Sequence, residues 1–183
     1  MNTSFKIKSA LLISALLALP MAQAATISKD EYKAGKTRIS AEYKASKASC
    51  DAMSGNAKDV CQEQAKGKEK VALAELEYAH SGKPADQTKL LTTKAKAEYE
   101  VAKEKCDDKA GNDKDVCVKE AKAAETKALA DAKLGKQVGE ARKDAVEDKR
   151  DADYKVALEK CDALAGDAKS ACISGAKAQF GKS

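Results

Sequence analysis

CDDKAGNDKDVC (Cys106–Cys117) sets two cysteines eleven positions apart around a Gly-Asn pair. In one continuous helix the two Cα atoms would stand about 16 Å apart. A disulfide needs them within about 7 Å. A turn between them removes the conflict. Gly111 suits the left-handed position that ends a helix, and Asn112 suits the N-cap of the next, with Asp115 favouring its first turn.

The stretch is one of three copies. YKASKASCDAMSGNAKDVCQEQAK starts at Tyr43, YEVAKEKCDDKAGNDKDVCVKEAK at Tyr99, and YKVALEKCDALAGDAKSACISGAK at Tyr154. In every copy Asp follows the first Cys and Gly lies five after it. The midpoints of Cys50/Cys61, Cys106/Cys117 and Cys161/Cys172 fall between Gly55 and Asn56, Gly111 and Asn112, and Gly166 and Asp167. In an antiparallel helical hairpin, residues equidistant from the turn face each other. The next layer then pairs Ser46 with Ala65, Ala102 with Ala121, and Ala157 with Ala176, all small enough for close helix approach. Six cysteines allow fifteen connectivities; the repeat selects Cys50–Cys61, Cys106–Cys117 and Cys161–Cys172. Each bond closes a short loop, worth roughly 3 kcal/mol in the chain-entropy picture.

The flanks carry helical periodicity. Tyr32, Ile39, Tyr43 and Cys50 form one stripe, Leu91, Ala95, Tyr99, Ala102 and Cys106 a second, and Cys117, Ala121, Ala124 and Ala128 a third of small residues. HSGKP at 80–84 must interrupt a helix. LGKQVGE at 134–140, with two glycines, is a softer break or a bend.

The N-terminus reads as a secretory signal. Lys6 and Lys8 precede an apolar run from Ala10 to Leu19, followed by Pro20 and Ala22-Gln23-Ala24, which predicts cleavage between Ala24 and Ala25. The run is too short to span about 30 Å of hydrocarbon. The mature chain therefore carries no transmembrane segment, and its net charge falls from +5 to +3 as two lysines leave. Export into an oxidising compartment favours paired cysteines. Only nineteen Ile, Leu and Val, with Phe180, serve the mature part. So sparse an apolar content fits elongated Ala/Lys/Glu helices better than a compact globule.

Other chemistries fit poorly. Zinc sites favour cysteines two to four apart with further ligands nearby, whereas His80 is the sole histidine. It reads as a solvated helix-end residue. A thioredoxin-like motif has two residues between its cysteines. Interspersed charges and scarce aromatics argue against nucleic acid as a partner. No phosphate loop or Ser-His-Asp set is visible. Tyr43, Tyr99 and Tyr154 read as packing residues above the small layer, the alternative being a binding stripe.

The repeats, with C-D-x3-G-[ND]-x-K and the second cysteine on schedule, resemble Ala/Lys-rich exported proteins of Gram-negative bacteria, some of them likened to the cell-envelope protein TolA. The likeness to TolA is one of composition. The resemblance implies an envelope location and carries over no functional residue.

The resulting expectation is all-α: three disulfide-stapled antiparallel hairpins joined by long helices, elongated, with a thin Ala-rich core. The units are a signal peptide (1–24) and hairpins over 25–80, 85–134 and 140–183. The expected role is non-enzymatic and periplasmic, with no catalytic residue, metal or cofactor. It is structural, stress-related or interaction-based, with envelope proteins or polymers as partners and scope for self-association. The alternatives are a chaperone or adsorbing protein, and thiol-based metal or redox binding.

Overall fold

A computed structural model describes residues 26–182. The expected signal peptide, with its cleavage between Ala24 and Ala25, lies outside the described residues. Five helices follow: α1 (Lys29–Cys50), α2 (Gly55–Ser81), α3 (Pro84–Cys106), α4 (Gly111–Asp162) and α5 (Gly166–Phe180). No described helix is long and apolar enough to cross a membrane.

The composition explains why helices form, and punctuation explains where they stop. Ser28 starts α1 with a capping box, accepting from the Glu31 N–H while the Glu31 carboxylate accepts from the Ser28 N–H. Gly82, at φ +62°, ends α2, and Pro84 opens α3 where its missing N–H is harmless. The stretch 134–140 does not break the chain: Gly135 and Gly139 lie inside α4. Two helical glycines cost about 1 kcal/mol each against Ala, too little to divide a 52-residue helix. The second and third hairpin units therefore share one helix.

Three disulfides join the expected partners, with Cα–Cα separations of 5.5, 5.7 and 5.7 Å. Cys50, Cys106 and Cys161 are fully buried. The symmetric register extends well beyond the sulfurs. Leu76 packs on Gly35, and Lys182 bonds Asp151 at 2.6 Å, each pair equidistant from its turn.

Among the described residues each helix packs only on its neighbours in sequence: α1 on α2, α2 on α3, α3 on α4, and α4 on α5. The first four form a single layer with two open faces. Gly67 lets α2 and α3 approach closely, since a Cβ there would meet that of Ala97 at 3.2 Å. Past this layer α4 runs on alone, exposed from Lys133 to Arg150, and then carries α5 at its far end. Two hairpins are thus packed side by side and the third stands apart. The core is as thin as composition demands: Ile39 is the one large aliphatic side chain buried among the described residues, beside alanines and cysteines. Leu91, expected on the inner stripe of α3, is 43% exposed, and Ala124 is exposed too. A one-layer array leaves each helix only narrow inner seams.

Candidate functional site

The three hairpin tips are near copies. Gly55, Gly111 and Gly166 hold φ of +58°, +54° and +55°, a region where a Cβ is costly. A backbone bond closes each turn, from Met53, Lys109 and Leu164 to the first cysteine's carbonyl. The expected capping by the following residue is overturned. Helices α2, α4 and α5 start at the glycine itself, their N-caps are Ser54, Ala110 and Ala165, and no side chain caps them. Asn56, Asn112 and Asp167 thereby fall within the first turn, because the left-handed glycine enters the helix one residue earlier than a capped turn would.

Asn56 acts between hairpins instead, its Nδ2 donating to the Glu104 carbonyl at 3.0 Å. The rest of the repeated motif explains itself electrostatically. The Asp after each first cysteine meets the Lys eight after that cysteine: Lys58–Asp51 at 3.3 Å, Lys114–Asp107 at 2.8 Å and Lys169–Asp162 at 2.9 Å. Asp107 holds the Lys114 ammonium above its usual pKa through that hydrogen bond. The C-D-x3-G-[ND]-x-K pattern carried this signal, though the pairing shows only once the turn is built. All six cysteines are paired in these disulfides.

The opposite end of the layer holds a clasp. His80 is half-buried, not solvated: its ring stacks on Tyr32 at 4.6 Å, and Nδ1 lies 2.9 Å from the Ile27 carbonyl. The Ile27 N–H donates to the Ala79 carbonyl. The Tyr32 hydroxyl donates to Glu77 at 2.5 Å, which raises the tyrosine pKa. Lys36 sits over the same ring. None of this was visible in sequence, because the partners lie up to 53 positions apart.

Between clasp and tips, one face of the layer sinks into a trough of about 730 Å³. Its floor is narrow, made of Gly67, Ala74 and Ala97 where α2 and α3 touch. Lys70, Lys89 and Lys96 rise around it with Glu63, Glu77 and Glu100. Tyr32 closes the base. Toward the tips stands Tyr99, under the Lys122 ammonium at 4.9 Å from the ring centre. Lys122 also bonds the buried Glu125 at 2.7 Å, and this partner raises the lysine's pKa. Of the three repeat tyrosines, all half-buried, Tyr99 alone lines the trough; Tyr154 packs on Phe180 at 5.8 Å. Leu73 also lines the trough, and an apolar floor between charged walls of both signs suits an extended chain or a helix that carries charged groups.

No protein-family model, curated protein or solved structure matches the chain.

Proposed function

We propose that this chain is a non-enzymatic periplasmic interaction protein, whose stapled helices act as a rigid support for the charged trough. The trough is the observation that carries the reading. It draws walls from all four helices of the layer, and its Lys122–Glu125 and Tyr32–Glu77 bonds fix those walls in advance. Preorganised charged walls favour specific polar partners. The partners that fit are envelope proteins or polymers bearing charges of both signs. Three disulfides suit the oxidising periplasm.

The test is recovery of partners from an envelope extract on oxidised mature protein, compared with a Lys70→Glu/Lys96→Glu variant. The expected result is a defined set of partners retained by the native chain and lost by the variant. Equal recovery by both would remove the trough from the reading. A chaperone role draws support from Met53, Leu91 and Leu164, each over a third exposed and outside the trough. Suppression of client aggregation at equimolar protein, insensitive to the trough variant, would favour it instead.

A further inference from the structure

The seam between α2 and α3 is built from residues that recur, unsatisfied, on α4. In that seam Ala97 sits on Gly67, Lys94 pairs with Glu75 at 2.8 Å, and Asn56 donates to the Glu104 carbonyl. The α2 side recurs 56 positions on: Asn56, Val60, Gly67 and Glu75 correspond to Asn112, Val116, Ala123 and Asp131 on the first half of α4. The α3 side recurs 55 positions on: Lys94, Ala97, Val101 and Glu104 correspond to Lys149, Ala152, Val156 and Glu159 on its second half. All eight are exposed, Val116 at 45% and Val156 at 55%. Both halves belong to one unbroken helix, so they do not pack on each other within a chain. Two chains running antiparallel bring them together twice.

We propose that the mature protein forms a two-fold dimer through α4, each copy's first half receiving the other's second half in the register of the α2–α3 seam. Four observations support that occupant. Asn112, Val116, Ala123, Asp131, Leu134, Val138, Ala141, Ala145, Lys149, Ala152, Val156 and Glu159 follow one another at spacings of three, four, seven or eight, as a single face of α4. That face points away from α3 and α5, whose side is marked by buried Ala132 and Cys161. Four of the five exposed large aliphatic residues of α4, Leu134 (57%) and Val138 (42%) included, lie on this face and Val146 does not. The charges also match. In the Lys94–Glu75 register Asp131 meets the second copy's Lys149, Glu120 its Lys160, and Lys127 its Asp153. The opposite flank, the side of the Asn56–Glu104 contact, brings Lys119 near the second copy's Lys155, a like pair.

The Gly67–Ala97 register, carried over, seats Ala123 on the second copy's Ala152 and Leu134 on its Ala141, with the Ala123 Cβ setting the two helices slightly wider apart than α2 and α3. The symmetry axis then passes beside Val138. An isologous interface of this kind closes on itself and leaves no sticky end. It spans Asn112 to Glu159, about 70 Å of helix. It also resolves the isolation of the third hairpin, which becomes the next stapled hairpin in the second copy's row.

The test is sedimentation velocity on the oxidised mature chain across the micromolar range, with carbodiimide cross-linking of a mixture of ¹⁵N and ¹⁴N protein. The expected result is a dimer carrying a mixed-isotope Asp131–Lys149 isopeptide. Within one copy these residues stand about 27 Å apart along α4 and cannot be bridged. Asp131→Lys alone and Lys149→Asp alone each weaken the dimer at least about tenfold, and the double swap restores it to within about threefold. Both residues are exposed, so circular dichroism should find every variant folded. A monomer at all concentrations, a dimer without that cross-link, or absence of rescue would each overturn the proposal.

Discussion

Replacing Cys161 and Cys172 by serine should release α5 while leaving the four-helix layer intact. Little besides the staple holds this helix. Of its 15 residues Ala176 alone is buried, with Lys169, Cys172, Ile173 and Phe180 half-buried. The Tyr154–Phe180 contact is worth about 1 kcal/mol, and the surface pairs Lys169–Asp162 and Lys182–Asp151 add little. The disulfide, closing a loop of about a dozen residues, contributes roughly 3 kcal/mol, or a hundredfold or more in the local opening equilibrium. A free helix of this length is marginal in water. Far-ultraviolet circular dichroism should therefore lose about a tenth of its helical signal, the share of α5 among the five helices. Hydrogen exchange should show α5 amides unprotected and α2 amides unchanged. Cys106→Ser with Cys117→Ser removes a bond of equal loop length, yet α3 stays seated on α2 through Gly67–Ala97, Lys94–Glu75 and Asn56–Glu104. That variant should keep its helical signal and unfold on the order of 10 °C lower. Equal loss of helicity from the two variants, or none from the first, would refute the reasoning.

Gly111→Ala should destabilise by about 1–2 kcal/mol through backbone strain alone, since φ is +54° and nothing lies near the added Cβ. Gly175→Ala, equally open but helical, should stabilise α5 by up to about 1 kcal/mol; denaturant titration reads both. Gly67→Val should force α2 and α3 apart, because the first added carbon already meets Ala97 at 3.2 Å, and a lowered unfolding midpoint with deformed partner binding checks it. Acid should act at two known points. Glu31, bonded to Ser28, and Asp151, bonded to Lys182, are both held below the usual carboxylate range. Each therefore contributes stability above that range, lost as pH falls through its lowered pKa while the unfolded chain takes up the proton first. Glu31→Gln and Asp151→Asn should each flatten the acid side of the stability–pH profile.

What was legible in the sequence was whatever it stated three times. The cysteine pairing, the turn at Gly55, Gly111 and Gly166, and the mirror register all follow from the repeat and hold in the structure. Legibility failed where a residue's role depends on a distant partner. His80 took its meaning from Ile27 and Tyr32, and Asn56 from Glu104. Leu91 misled because periodicity marks a stripe without saying whether a neighbour covers it. The small residues of LGKQVGE suggested a boundary, but helix propensity on both sides outweighed two glycines.

The thin core and the staples are two sides of one physical constraint. A layer one helix thick buries small seams, so its stability cannot come from a central apolar mass. Cross-links compensate at each turn by limiting the freedom of the unfolded chain, and tip ion pairs and the His80–Tyr32 clasp fix the ends. The benefit of such a layer is area: nearly every side chain reaches solvent or a partner. Both the trough on its face and the stripe along α4 exist because no second layer covers them. In a repeat array each unit presents to the next the surface it accepted from the last. On α4 those two surfaces sit on one unbroken helix, and a second copy is the occupant that satisfies both at once.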